Sequence, residues 1–302
     1  MDCHQDRLNA PTTNFQGPFL VALGCLSLLV GTTLASGGLA EAGTTNPAAA
    51  TAPATPKQPT RSFAPRAQVS FREPAREYVE RQSGGRTFQL EKELIERQPA
   101  EAEQVVKRLE AKLNQALALF PPRARDRLRK LSFFVMLGPE APGGGHDGGA
   151  EYFRSIDPDY HPHLDPRWRS AVVIYSARNY LWQNEHWAVM MLVHELAHAW
   201  QLEQWPEKQP EIFAAWEHAK AKGLYQGVKD VNGTVLESAY AAHNQLEYFA
   251  ELSCSYFWRN EYDPIDREAL RRYDPTGFTM IEVMWGIQGE PPPPSERAGR
   301  NE

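Results

Sequence analysis

The chain has 302 residues, 42% hydrophobic and 23% charged, a near-average globular composition that excludes disorder along its whole length. Its 32 basic and 38 acidic residues leave a formal net charge of -6, so it lacks the broad positive field that phosphate-backbone binding draws on, and nucleic acid is not an expected partner. Cys3, Cys25 and Cys254 are too scattered for a disulfide framework or a Cys-rich zinc finger, so any metal must be held by His and carboxylate.

Residues 19–30, FLVALGCLSLLV, form an uncharged apolar run too short to span a bilayer comfortably, and small residues follow as far as Ala40. The segment 1–40 reads as a secretory signal peptide and implies an exported protein, whether secreted, periplasmic or envelope-associated. Asp2 and Asp6 weaken the basic character that Arg7 supplies, so an uncleaved single-helix membrane anchor is the other reading of this segment. Cys25 follows Ala-Leu-Gly in loose likeness to a lipoprotein acceptor site, but apolar residues continue beyond it, which argues against lipidation. Residues 41–64 are mainly Ala, Thr and Pro and bury too little surface to offset ordering entropy, so they read as a linker. A proline run and polar residues make 290–302 a second unstructured tail, leaving one folded domain over 65–289.

Within that domain, Pro99 opens a helix whose apolar positions Val105, Leu109, Leu113, Ala116, Leu117 and Phe120 recur at helical spacing, and Pro121-Pro122 stops it. The basic run from Arg123 to Lys130 reads as a solvated helix turn rather than an anion patch. LSFFVML at 131–137 and AVVIYSA at 171–177 read as strands, separated by a long loop rich in Gly, His and Asp. Residues 185–204 show helical periodicity through Trp187, Met191, His194, His198 and Leu202, which places both histidines on the face that looks buried. A helix over 210–222, a hairpin turn at Val231-Asn-Gly-Thr234 and a helix from Asn244 to about Trp258 follow, with Asn244 as its expected N-cap. The expected fold class is α+β, mostly helical with a small mixed sheet.

The chemistry begins at His194-Glu195-Leu196-Ala197-His198, an HExxH pattern. Residues i and i+4 of a helix lie about 6 Å apart on one face, so two imidazoles can grip one ion. Zinc takes nitrogen ligands at about 2.0–2.1 Å, and a catalytic site needs three protein ligands with one position left to water. Glu195, beside the first ligand, is placed to take a proton from that water as general base.

The pattern with a Gly three and a His six residues beyond His198 fails, since those positions are Gln201 and Gln204. A carboxylate on a second helix is the remaining common solution. Glu247 and Glu251 lie at i and i+4 on one face, so one can bind metal while the other orients a ligand histidine and fixes its tautomer. Taken alone, Asn244 and Glu247, three residues apart, read better as a helix-capping pair. Glu211, Glu217, His218 and His243 are rival ligands of lower rank.

These residues carry a resemblance. LVHELAHAW at 192–200 with NQLEYFAE at 244–251 resembles the gluzincin metallopeptidases, which place HExxH on one helix and a Glu, with an acidic residue four positions on, on the next. More narrowly, Tyr240 to Glu251 is similar to the corresponding stretch in the catalytic domain of anthrax lethal factor and its relatives. It is also similar to zincin-like proteins with LHELAHA and YA..N..EYFAE segments, over roughly 149–286. The resemblance implies a zincin-like fold over 65–289, His194, His198 and Glu247 as zinc ligands, Glu195 as general base, Glu251 as orienter of a ligand histidine and Tyr240 as electrophile. Cys254 departs from it, since relatives carry a non-thiol there; the thiol reads as an inert buried side chain or, second, as an inhibitory or misplaced ligand.

The expected function is hydrolysis of peptide bonds in a peptide or protein substrate by an exported zinc metallopeptidase, with AVVIYSA as the candidate sheet edge for an extended substrate. Trp182, Trp187, Trp200 and Trp205 flank the HExxH helix as pocket or core. The alternative is a non-hydrolytic, zinc-containing envelope binding domain, against which an intact Glu195 argues.

Overall fold

A computed structural model of the chain describes residues 69–292. The expected leader over 1–40, the linker over 41–64 and most of the tail over 290–302 lie outside the described residues, as do Cys3 and Cys25. No helix among the described residues is long and apolar enough to cross a membrane.

Two strands, β1 (Tyr78–Ser83) and β2 (Arg86–Glu91), form a hairpin, followed by α1 (Lys92–Arg97), α2 (Pro99–Leu119) and α3 (Pro122–Leu128). Next come β3 (Ser132–Val135), β4 (Ala150–Phe153), β5 (Ala171–Ile174), α4 (Ala177–Trp182) and α5 (Glu185–Gln204). The last third holds α6 (Pro210–Ala221), the hairpin β6 (Gln226–Lys229) and β7 (Val235–Ser238), α7 (Gln245–Phe257), α8 (Arg267–Tyr273) and α9 (Pro275–Met284). The architecture is α+β.

The main sheet has the order β1-β2-β3-β5-β4 and is mixed: β2, β3 and β5 run parallel, while β1 and β4 are antiparallel to their neighbours. Alternation of side chains divides β3 and β5 between two cores. Phe133, Val135, Val172 and Ile174 face the helices, whereas Phe134, Val173 and Tyr175 join Phe71, Phe153 and Trp168 on the other face. With both faces covered, β5 is buried at all four positions, which is why its sequence reads as an unbroken apolar run.

Two expectations about this region are corrected. The stretch between β3 and β5 is not all loop, because β4 lies within it; four residues beside Gly148-Gly149 show too short an alternation to register as a strand. And β5 is interior rather than an edge, because β4 covers it; the edge beside the site is β4.

The Gly-rich approach to β4 is clamped by a buried ion pair. Arg76 Nη1 lies 2.8 Å from Glu91 Oε1, while Arg76 Nη2 donates to the carbonyls of Gly143 (3.1 Å) and Gly144 (2.8 Å), and Glu91 Oε2 accepts from Leu137 N at 2.7 Å. Burial pushes Glu91 above the usual carboxylate range, opposed by the Leu137 amide and Arg76. Removing one partner strands the other charge, so Arg76→Ala is expected to cost about 3–5 kcal/mol by urea denaturation. A loss under 1 kcal/mol would show that solvent reaches Glu91.

Helix α5 departs from the amphipathic expectation: every residue from Ala188 to Gln201 is buried, not one stripe. It packs against α2, α7 and β4. Trp200 and Trp205 belong to that core; Trp200 stacks on Trp285, which in turn stacks on Phe120. Trp182 is exposed, so the tryptophans around α5 do not form one pocket lining.

Candidate metal centre

Each half of the site is set by its own helix. Asn184 caps α5, its Oδ1 accepting from Trp187 N at 2.8 Å, and Glu185 in the first turn favours the helix dipole. Asn244 caps α7 by accepting from both Leu246 N and Glu247 N at 2.9 Å, so the cap and the site role of Glu247 coexist. The next residue, Tyr248, donates to Asp274 Oδ2 at 2.5 Å, and Asp274 also accepts from Tyr225 and caps α9 through Gly277 N. A Cβ on Gly277 would collide with the Tyr248 hydroxyl and Leu252, so this joint between α7 and α9 requires glycine. It fixes α7 beside α5.

The ligand atoms converge. His194 Nε2 and His198 Nε2 are 3.1 Å apart, and Glu247 Oε2 lies 3.2 Å from the first and 3.4 Å from the second. All three atoms fall within 4.8 Å of one another, and all three residues are buried. Among the described residues this is the one such group, so Glu211, Glu217, His218 and His243 are not brought into it.

The surroundings fit a cation. Glu247 Oε2 is buried and makes no hydrogen bond, although two ring nitrogens stand close to it. Burial opposes ionisation of Glu247, yet the two imidazoles outweigh it and hold its carboxyl well below the usual range. His194 is pushed the other way: burial works against its charged form, but Cys254, Glu247 and Glu251 raise it well above the ordinary value. Among the described residues no lysine or arginine forms an ion pair with Glu195, Glu247 or Glu251. Three buried carboxylates thus stand beside two imidazoles, an arrangement in which a cation at the point of convergence would be well accommodated. His194, His198 and Glu247 could hold a metal ion there.

Glu251 Oε1 accepts from His194 Nδ1 at 2.8 Å, which assigns the ring proton to Nδ1 and leaves the Nε2 lone pair for a metal. Glu195 Oε2 accepts from the backbone amide of Tyr152 at 2.8 Å, so the carboxylate is tied to the edge strand β4. Burial pushes Glu195 up to about 8; His194 opposes this, and Glu247 and Glu151 add to it. Tyr240 lies in a short 3-10 turn, Tyr240–Ala242, with its ring stacked on His194 at 5.9 Å, and burial and the Glu247 charge raise its phenol above the ordinary value. Cys254 stands outside the ligand group: its thiol donates to Met190 O at 3.6 Å, and burial pushes it up to about 11.

Three features escaped the sequence. Glu151 on β4, raised to about 7 by burial despite a 2.9 Å bond from Tyr175 Oη, faces the centre from the sheet edge. Asn260, on the segment after α7, donates to Glu251, and the phenol of Tyr262 on the same segment is raised by burial and by the Glu251 charge. No periodicity or spacing marks any of them, because each reaches the site through tertiary packing. Comparison of the chain with protein-family models, with curated proteins and with solved structures finds no match.

Proposed function

We propose that this chain is an exported zinc metallopeptidase of gluzincin type with a zincin-like fold, hydrolysing peptide bonds in an extended peptide or unfolded protein. The observation that carries the reading is the convergence of two imidazole nitrogens and one carboxylate oxygen within 4.8 Å, beside a separate buried carboxylate, Glu195. Two nitrogens and one oxygen are a donor set that suits zinc in catalytic sites. Export rests on the apolar segment near the N-terminus, which also allows a membrane tether.

When bound, zinc would acidify a water molecule and polarise the scissile carbonyl. The chain's own residues do the rest. Glu195 takes the proton of the attacking water at its carboxylate and returns it to the leaving amine. The Tyr152 amide restrains that carboxylate at Oε2. Glu251 keeps the His194 proton on Nδ1. The outer edge of β4 offers the Ala150 backbone groups and the Tyr152 carbonyl to an extended substrate, the Tyr152 amide being taken by Glu195.

Tyr240 supplies the oxyanion donor, turning its hydroxyl from Glu247 to the developing negative charge. Tyr240→Phe is accordingly expected to lower kcat about 10²-fold with KM and zinc content little changed, as loss of one donor does elsewhere. An unaltered kcat would remove Tyr240 from the chemistry.

The test of the whole reading joins elemental analysis to turnover. About one zinc per purified chain, with cleavage of an unfolded protein that Glu195→Gln abolishes, supports it. Bound zinc with no cleavage by either wild type or Glu195→Gln would point instead to the non-hydrolytic zinc domain.

A further inference from the structure

Behind Glu251 lies a layer of buried polar groups that the proposed reaction does not use. Asn260, almost fully buried, donates from Nδ2 to Glu251 Oε2 at 2.9 Å and to the Glu251 carbonyl at 3.3 Å, while its Oδ1 accepts from Glu261 N at 2.7 Å. Tyr262 Oη accepts from the Ala241 amide at 3.0 Å, which leaves its single proton for Glu251, the carboxylate that acts on this phenol. Ala241 is the middle residue of the turn that begins with Tyr240. One phenol thus holds the backbone that carries Tyr240 and faces the charge of the carboxylate that serves His194.

The segment bearing these two side chains is itself anchored. Asn260 N donates to Ile265 O at 2.7 Å, Val231 N to Glu261 O at 2.7 Å and Asp263 N to Lys229 O at 2.9 Å, so the β6-β7 hairpin backs it from outside. A buried carboxylate with one partner can swing; Glu251 with donors at both oxygens cannot, and its Oε1 stays aligned on His194 Nδ1.

We infer that Asn260 and Tyr262 are positioning residues for the metal centre, holding Glu251 and, through Ala241, the Tyr240 turn in one geometry. The inference rests on the metal-centre reading above. It ascribes to Tyr262 an effect that passes through Glu251, and a double-mutant cycle can isolate that dependence.

The experiment measures Zn²⁺ affinity of the full chain by competition with a chromogenic chelator, in wild type, Tyr262→Phe, Glu251→Gln and the double variant. Tyr262→Phe keeps the ring and its packing, and is expected to weaken zinc binding about 10-fold, the low end for partners outside the ligand sphere. In the Glu251→Gln background the same change is expected to have an effect under 2-fold. Asn260→Asp, which keeps the Oδ1 acceptor and loses the Nδ2 donor, is expected to weaken binding at least as much as Tyr262→Phe. Unchanged zinc affinity in Tyr262→Phe, with only the zinc-free melting temperature lowered, would reduce Tyr262 to a packing residue and overturn the inference. An equal loss in both backgrounds would overturn the route through Glu251. Wild-type protein that binds no zinc would instead remove the metal centre itself, an outcome distinct from both.

Discussion

Glu195→Gln is expected to leave zinc content and melting temperature near wild type while lowering the hydrolysis of unfolded protein about 10²–10⁴-fold, the range that a positioned acid-base group supplies. The substitution conserves shape: the amide can still accept from Tyr152 N through its oxygen, so β4 and α5 stay joined. What it removes is the basic oxygen. Burial raises the Glu195 carboxyl above the usual carboxylate range in the metal-free chain, a direction that favours a group that must first take and then return a proton. Its neighbours reinforce that state, since Glu247 and Glu151 raise it and only His194 and the Tyr152 amide act against them. Turnover measured on an unfolded protein, with zinc quantified in the same preparation, separates this effect from metal loss. Activity within 10-fold of wild type would assign the proton transfers elsewhere, with Glu151 the nearest rival on β4.

How much of this site is legible in the chain depends on the range of each signal. Helix α5 and its paired imidazoles are readable because i and i+4 spacing is local, and the Asn244 cap is readable because it answers amides two and three residues away. The burial of α5 on all sides is not readable, since Glu185, Glu203 and Gln204 at its ends give it an amphipathic look that packing by α2, α7 and β4 overrides between them. Which of Glu247 and Glu251 meets the Nε2 atoms and which meets Nδ1 is decided by how α7 lies across α5, a contact over 48 intervening residues. Strand β4 falls below the threshold of pattern altogether. Four residues in a glycine-rich stretch acquire their strand character from pairing with β5, as Tyr152 with Val172 and Glu151 with Val173. The place of Cys254 is equally a matter of packing, since its thiol is set by Met190 O on the neighbouring helix.

Removing the metal is expected to have the largest effect on stability, and replacing the third ligand is expected to abolish that effect. An ion that binds the folded chain alone stabilises it by about 4 kcal/mol when free metal stands 1,000-fold above the dissociation constant. In a domain of this size each 1 kcal/mol moves the melting temperature by about 2–4 °C, so a chelator is expected to lower Tm by roughly 8–16 °C in the wild type. In Glu247→Gln the shift should nearly vanish. The carboxylate oxygen is the only anionic member of the group, its Oε2 is the buried atom without a hydrogen bond, and an amide in its place offers a weak neutral donor against two imidazoles. Asn244 still caps α7 in the variant because the cap uses backbone amides and not the side chain at 247, so a lost shift reports on metal and not on helix fraying. Differential scanning calorimetry with and without chelator, alongside elemental analysis, decides the matter. A full shift retained by Glu247→Gln would place the third ligand outside this carboxylate, and a wild type indifferent to chelator would mean that the converging imidazoles serve packing rather than an ion.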